Sequence, residues 1–202
     1  MKQFRNSARI VAAPRYTSRG CDGFQHRSIF IVNAKSDFEM LSDLRGGVCA
    51  VNGFDSNTGM NLLRATIAPL AESKSFFGSV VVTGSHVASV QAVANGRADL
   101  AAIDCVTFAH LECFEPKLTA RVRQIGQSVL AAAPPFITAW KTDDATLAVL
   151  RRALNEVASD PELGFIRSAL LIGGFEFVSE SDYELALQIE RDAAAAGYAE
   201  LR

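Results

Sequence analysis

The sequence lacks an excess of charge of either sign. Twenty lysines and arginines stand against 22 aspartates and glutamates in 202 residues, a net charge of −2. That balance leaves no electrostatic footprint for nucleic acid or for an anionic membrane. A long hydrophobic run is also missing. The longest apolar stretch, Ser128 to Trp140, carries two prolines and is too short and too broken to span a bilayer. Cysteine is present but unpatterned. Cys21, Cys49, Cys105 and Cys113 form no C-x-x-C pair, and no histidine stands at zinc-finger spacing from them. Neither a metal site nor a disulfide framework is expected. Cys49 lies in an apolar run and is expected to be a buried free thiol. Met1 to Asn6 includes a basic residue with no apolar stretch after it, so no signal peptide is read in this chain. Repeats are absent, and the one low-complexity run, Ala193 to Ala196, suits a helix. What remains is 49% hydrophobic and 21% charged, a globular composition. The chain reads as a soluble α/β protein of one large domain or two small lobes.

The pass along the chain gives regular elements. Arg9 to Ala13, closed by Pro14, and Ser28 to Asn33 read as strands. Ser36-x-x-Glu39 reads as a capping box opening a short helix that ends at Gly46-Gly47. Val48 to Val51, Val80 to Thr83 and Leu100 to Ile103 read as strands. Asn57 to Leu70, Ser85 to Asn95 and Cys105 to Phe114 read as the helices after them. Continuous apolar strands imply burial on both faces, hence a parallel sheet with helices on each side. Arg121 to Gln127 alternates and should have a wetter face. Phe136 to Trp140 is a strand, and Asp143 to Ser159 is a long helix striped by Leu147, Leu150, Leu154 and Val157. Asp160-Pro161 restarts a helix that ends near Gly173-Gly174, and Ser181-x-x-Glu184 caps a last helix.

Three loops follow the three central strands. They are Asn52 to Gly59, Gly84-Ser85-His86, and Asp104 to Thr107. In an open parallel sheet, ligands bind outside the carboxyl ends of the strands. The first two loops deliver Ser, Asn or Thr to helix starts, where unpaired N–H groups and the helix dipole suit an oxyanion. Each of Ser56, Asn57, Thr58 and Ser85 is also an ordinary helix cap. Together at one sheet edge they mark a pocket. His86 can serve as a hydrogen-bond partner or positive charge for an anion, or as a structural histidine. Asp104 either caps the next helix or selects an ammonium or hydroxyl group on the ligand.

The ordered set Asp55-Ser56-Asn57-Thr58-Gly59-Met60-Asn61, Val81-Val82-Thr83-Gly84-Ser85-His86 and Asn95-Gly96-Arg97-Ala98-Asp99 through Asp104 resembles one family. It is the phosphate/phosphonate-type ABC-transporter substrate-binding proteins, with a type 2 periplasmic binding protein fold. Ser42 to Gly46 and Gly20 to Ser28 fit as well, and the likeness runs from about Ile10 to Tyr183. The family's phosphonate binders hold the anion with Ser-Thr-Ser-Gly, so the resemblance assigns ligand binding to Ser56, Asn57, Thr58 and Gly59, with one hydroxyl replaced by an amide. It assigns Ser85 and His86 from the Gly-Ser-His motif and Asp104 as the acidic residue after Ala-Ala.

The resemblance implies two α/β lobes with parallel-rich sheets and crossing hinge strands, the first lobe N-terminally truncated. Residues 1–32 would be the crossing segment and a remnant of lobe one, 33–126 lobe two, and 127–202 the return hinge with the rest of lobe one. The expected function is capture of a small oxyanion (phosphonate, phosphate or a related phospho-compound, with a carboxylate left open) between the lobes. No cofactor, metal or nucleic acid is involved, and nothing inserts into the membrane. The partners implied are an ABC permease and a second copy of the chain, joined through the truncated lobe. The resemblance implies a periplasmic protein, and the missing signal leaves a cytoplasmic one open. Two other readings stand beside this. One is a cytoplasmic or vestigial ligand-sensing module of the same fold. The other is an enzyme with Cys105 as nucleophile and His86 as base.

Overall fold

The computed structural model describes residues 7–72 and 75–202, so the expectation for Met1 to Asn6 lies outside the described residues. The chain runs through β1 (Ala8–Tyr16), β2 (Gln25–His26), β3 (Ser28–Asn33), β4 (Val48–Val51), α1 (Leu62–Ala71), β5 (Ser79–Val82), α2 (His86–Ala94) and β6 (Leu100–Asp104). It continues through α3 (Cys105–Phe114), α4 (Pro116–Thr119), β7 (Val122–Gln127), β8 (Ala131–Ala132), β9 (Phe136–Ala139), α5 (Asp144–Ser159), α6 (Gly164–Ala169), β10 (Ile172–Glu176) and α7 (Glu184–Ala195). It forms two compact units. Of the described residues, one comprises 7–26 and 130–185, the other 27–72, 75–129 and 186–202.

The larger unit is built on a five-stranded sheet in the order β5-β4-β6-β3-β7. β5, β4 and β6 run parallel, as βαβ crossovers require. β3 and β7 are antiparallel to their neighbours, so the sheet is mixed: the three central strands are parallel as expected, and the direction of β3 was not legible. The reason is physical. An apolar strand such as SIFIVN reports burial on both faces, and that burial is the same whichever way the strand runs. β5 corrects the burial rule itself. Its valines are consecutive, yet it lies at the sheet edge and Val82 is 56% exposed.

The core of this unit packs Phe30 and Val32 of β3 against Cys49 and Val51 of β4, Leu63 and Ile67 of α1, Phe76, Phe77 and Leu100. Met60 and Leu70 flank it, so Met60, Leu63, Ile67 and Leu70 form one face of this segment turned to the core. Each large side chain buried here contributes about 1.5–3 kcal/mol relative to exposure. Cys49 is a free thiol with no exposure, and burial pushes its pKa well above the ordinary range. Ala193, Tyr198 and Leu201 complete the same core. The last residues therefore belong to the larger unit, not with residues 127–185 as the sequence boundaries had it. Their backbone is tied in as well: the Phe76 N–H donates to the Arg202 carbonyl at 2.7 Å.

The smaller unit has an antiparallel three-stranded sheet, β10-β1-β9, and a two-stranded β2-β8 ribbon. β1 pairs with β9 over Ala8 to Ala12 and with β10 over Ala13 to Tyr16. Pro14 thus falls where the strand has a neighbour on one side only, which accommodates its missing donor. α5 begins at Asp144 on an Asp143 cap, one residue later than expected, and Asp160 caps the turn that carries Pro161 as expected.

Local capping departs from expectation three times. Ser36 Oγ donates to the Asn33 carbonyl instead of capping a helix. The short helix is a single 3-10 turn, Leu41–Leu44, held by the Asp43 carboxylate, which accepts from the Glu39 and Met40 N–H groups. Gly173 and Gly174 lie inside β10 rather than ending a helix. The turn before α7 is capped by Ser179 with Asp182, not by Ser181 with Glu184. Among the described residues no helix is long and apolar enough to cross a membrane.

Candidate functional site

The chain leaves β4 at Val51 and enters α1 through a π-helical turn, Asn57–Asn61. Here the Asn61 N–H reaches back five residues to the Ser56 carbonyl. Such widened turns recur at functional sites. The sequence pattern predicted only an α-helix from Asn57. Ser56 caps the turn, its Oγ accepting from the Gly59 N–H at 2.9 Å. Gly59 is required by space. A Cβ there would overlap the side chain of Asn52, whose buried Oδ1 has no hydrogen-bond partner among the described residues. Asn52 opens the first of the loops read from the sequence but was not singled out there. The signal available was the glycine that makes room for it.

The second loop turns at Gly84, where φ is +87° and open space surrounds the Cα. That glycine is required by backbone conformation rather than by crowding. Ser85 then caps α2, its Oγ accepting from the Ala88 N–H at 3.1 Å. Thr83, just before the turn, reaches the Val51 carbonyl, the Ser85 carbonyl and Ser89 Oγ with its hydroxyl.

The two loops are joined by a contact of Thr58 with His86. Thr58 Oγ1 and His86 Nε2 lie 3.2 Å apart, within hydrogen-bond reach. It brings together the starts of α1 and α2, and with them Ser56, Asn57, Gly59 and Ser85. Each helix start offers N–H groups without intrahelical acceptors and the positive end of a dipole worth about 0.3–1 kcal/mol to an anion. Below the contact, Ser28 Oγ donates to the Thr58 carbonyl at 2.6 Å, and the Ser28 N–H donates to Ser128 Oγ at 2.9 Å. Both serines are buried. They anchor the loop to β3 from beneath, and strand patterning gave no hint of that role.

Asp104 ends β6, where it pairs in register with Ser28. Its Oδ1 accepts from the Thr107 N–H at 2.9 Å and from Thr107 Oγ1 at 3.2 Å, so it caps α3. Cys105, next along, is only 3% exposed, and its N–H donates to the Arg27 carbonyl. No cluster of His, Cys, Asp and Glu among the described residues could hold a metal ion.

This arrangement is a set of neutral donors and one imidazole, disposed around two helix starts, which is the chemistry of anion binding. Residues 3–183 match the model of a protein family described as ABC transporter, phosphonate, periplasmic substrate-binding protein. The chain belongs to this family. Its members are transport binding proteins, not enzymes, and they are periplasmic. No curated protein matches the sequence.

Solved structures share the fold. A binding component of an ABC phosphonate transporter from Pseudomonas aeruginosa is 19% identical, with a TM-score of 0.75, over 94% of this chain and 62% of its own. A protein from Prochlorococcus marinus, solved with methylphosphonate, is 16% identical with a TM-score of 0.74, over 94% of this chain and 72% of its own. A Xanthomonas citri protein solved with ATP is 18% identical with a TM-score of 0.70, over 98% and 75%. The architecture is that of the type 2 periplasmic binding proteins.

Proposed function

We propose that this protein is the solute-binding component of an ABC importer, capturing a small phosphorus oxyanion, a phosphonate foremost, and delivering it to a permease on the periplasmic side. The observation that carries this is the Thr58–His86 contact, which places two capped helix starts side by side. Ser56, Asn57, Thr58, Gly59, Ser85 and His86 supply the donors. Asp104 is the acceptor for an ammonium or hydroxyl group carried by the ligand. The family match and the methylphosphonate complex of the Prochlorococcus relative support phosphonate as the first probe. Buried Cys105 and the engagement of His86 Nε2 with Thr58 speak for binding over nucleophilic catalysis.

Isothermal titration of the folded protein with methylphosphonate, phosphate and acetate tests the reading. Methylphosphonate is expected to bind most tightly, and no binding to any of the three overturns the proposal. His86→Ala and Ser85→Ala should each weaken methylphosphonate binding by about 1.5–3 kcal/mol, the range for hydrogen bonds to charged groups.

The second partner is another copy of this chain. The smaller unit exposes Ile137, Trp140, Phe165, Ile166 and Leu170, side chains that favour cover by protein. Light scattering should report a dimer that Phe165→Glu with Trp140→Lys returns to monomer. A wild-type monomer at all concentrations sinks the idea.

A further inference from the structure

Asn57, Asn61 and Arg64 share one stripe of the continuous π/α segment, at spacing i, i+4 and i+7. Asn61 and Arg64 are buried. A buried arginine is an expensive occupant of a helix face. Its Nε has no hydrogen-bond partner among the described residues, and burial lowers its pKa while the charge of Glu190 acts the other way. An apolar side chain of similar volume is the better choice for stability alone. The stripe therefore calls for another explanation, and its hydrogen-bond polarity supplies one.

A guanidinium only donates. Arg64 Nη2 lies 2.8 Å from Asn61, so the atom it meets is Oδ1. That fixes the Asn61 carboxamide. Its NH2 group must face the other way, where it donates to Asn57 Oδ1 at 3.0 Å and to the Ala186 carbonyl at 3.1 Å. Arg64 Nη1 also holds the Ala199 carbonyl, so the guanidinium cannot swing out of line. With its oxygen accepting from Asn61, Asn57, at the helix start beside Thr58, has its NH2 group left to donate elsewhere. Donor polarity thus passes from a charge inside the unit, through one amide, to a second amide at the site.

We propose that Arg64 and Asn61 are positioning residues that fix Asn57 as a hydrogen-bond donor, so that this loop selects ligands presenting bare acceptor oxygens. The proposal deepens the oxyanion-binding reading and rests on it for the identity of the ligand. It also gives the replacement of a hydroxyl by an amide a consequence. A hydroxyl is one atom that can donate or accept, whereas Asn57 oriented in this way has an NH2 group that only donates.

The test has a ligand-free arm and a binding arm. Without ligand, side-chain amide hydrogen exchange measured by NMR should show slow exchange for the Asn61 NH2, which is held by two acceptors. The Asn57 NH2 should exchange as fast as that of exposed Asn155. Arg64→Met should release the Asn61 NH2. Fast exchange at Asn61 in the wild type, or no change in Arg64→Met, overturns the relay, whatever the ligand proves to be. In the binding arm, methylphosphonate is titrated in a double-mutant cycle. Arg64→Met should weaken binding about tenfold, the equivalent of one charge-assisted hydrogen bond. In an Asn57→Ala background it should change binding by less than about twofold, as expected when the effect runs through Asn57. Equal losses in both backgrounds reduce Arg64 to a structural role and overturn the proposal. Asn61→Asp, which keeps the acceptor for Arg64 and removes the donor to Asn57, repeats the cycle should Arg64→Met fail to fold. If the wild type does not bind methylphosphonate, the reading of function fails and the exchange arm alone decides the relay.

Discussion

The two units are made of the same kinds of element and are filled differently. The larger buries Phe30, Phe76, Leu62, Leu63, Ile67, Leu100 and Tyr198 almost completely. The smaller buries mostly small residues, among them Ala12, Ala13, Ala131 and Ala133, and leaves Phe165 75% exposed. What its core lacks in apolar volume is partly replaced by directed polar contacts. Arg151 donates to the Val11 and Ile10 carbonyls and lies over the Phe177 ring. Tyr183 donates to the Ala133 carbonyl at 3.0 Å, and Arg9 pairs with Asp144. The candidate site stands on the unit with the better core. Donors aimed at an anion work only if they hold still, and a close-packed core beneath them provides that.

The contrast can be broken most directly by emptying each unit. Phe30→Ala should cost about 3–5 kcal/mol in denaturant unfolding, and Val149→Ala, at an exposed position of α5, should stay within about 0.5 kcal/mol. Similar losses for the two would erase the distinction. A finer cut compares the buried tyrosines. Tyr198→Ala removes an aromatic ring from the larger core and should cost about 3 kcal/mol or more. Tyr183→Phe removes only a hydroxyl and its bond to Ala133, at a cost of about 1 kcal/mol.

Acid provides the gentlest probe. Backbone N–H groups hold the carboxyls of Asp143 and Asp182 in the smaller unit, and of Asp43 in the larger, below the usual carboxylate range. A lowered native pKa stabilises the fold above the unfolded value, and that contribution fades as pH falls through the native one. Two of these groups stand on the unit with the weaker core, so it should loosen first. Trp140, the sole tryptophan, reports on that unit. Its fluorescence should change at higher pH than the β6 amide signals do, and Asp143→Asn with Asp182→Asn should close the gap. Coincident transitions would show that acid does not tell the units apart.

Much of this was legible beforehand, for reasons that also set the limits. The strand at Ser28 to Asn33 and the caps Ser56, Ser85 and Asp160 depend on local chemistry, and residue type declares local chemistry. The direction of β3 and the edge position of β5 depend on partners distant in sequence. Two serines at nearly equivalent offsets, Ser36 and Ser179, show how narrow the margin is. Both precede an acidic residue by three positions, yet only Ser179 becomes a cap. At the first, Met40 takes the cap position four residues further on, its N–H donating to the Asp43 carboxylate. Within the site, the helix-start residues announced themselves as a group. Asn61 and Arg64 did not, because a polar residue on a helix reads as solvent-facing until the tail that buries it is in place. Asn52 was hidden likewise, its role visible only through Gly59.

The return of residues 186–202 to the larger unit makes that unit a split object along the chain. The whole of Leu130–Leu185 intervenes between its two pieces. Closing so long a loop costs entropy before Tyr198 and Leu201 can repay it, so this core finishes late in folding. A chain nicked within that intervening stretch would still hold its tail, now as a bound peptide. The Arg64 grip on Ala199 and the Asn61 grip on Ala186 would become contacts between separate fragments. The same seam is a natural place to divide the protein into two halves that report on each other's presence by reassembling.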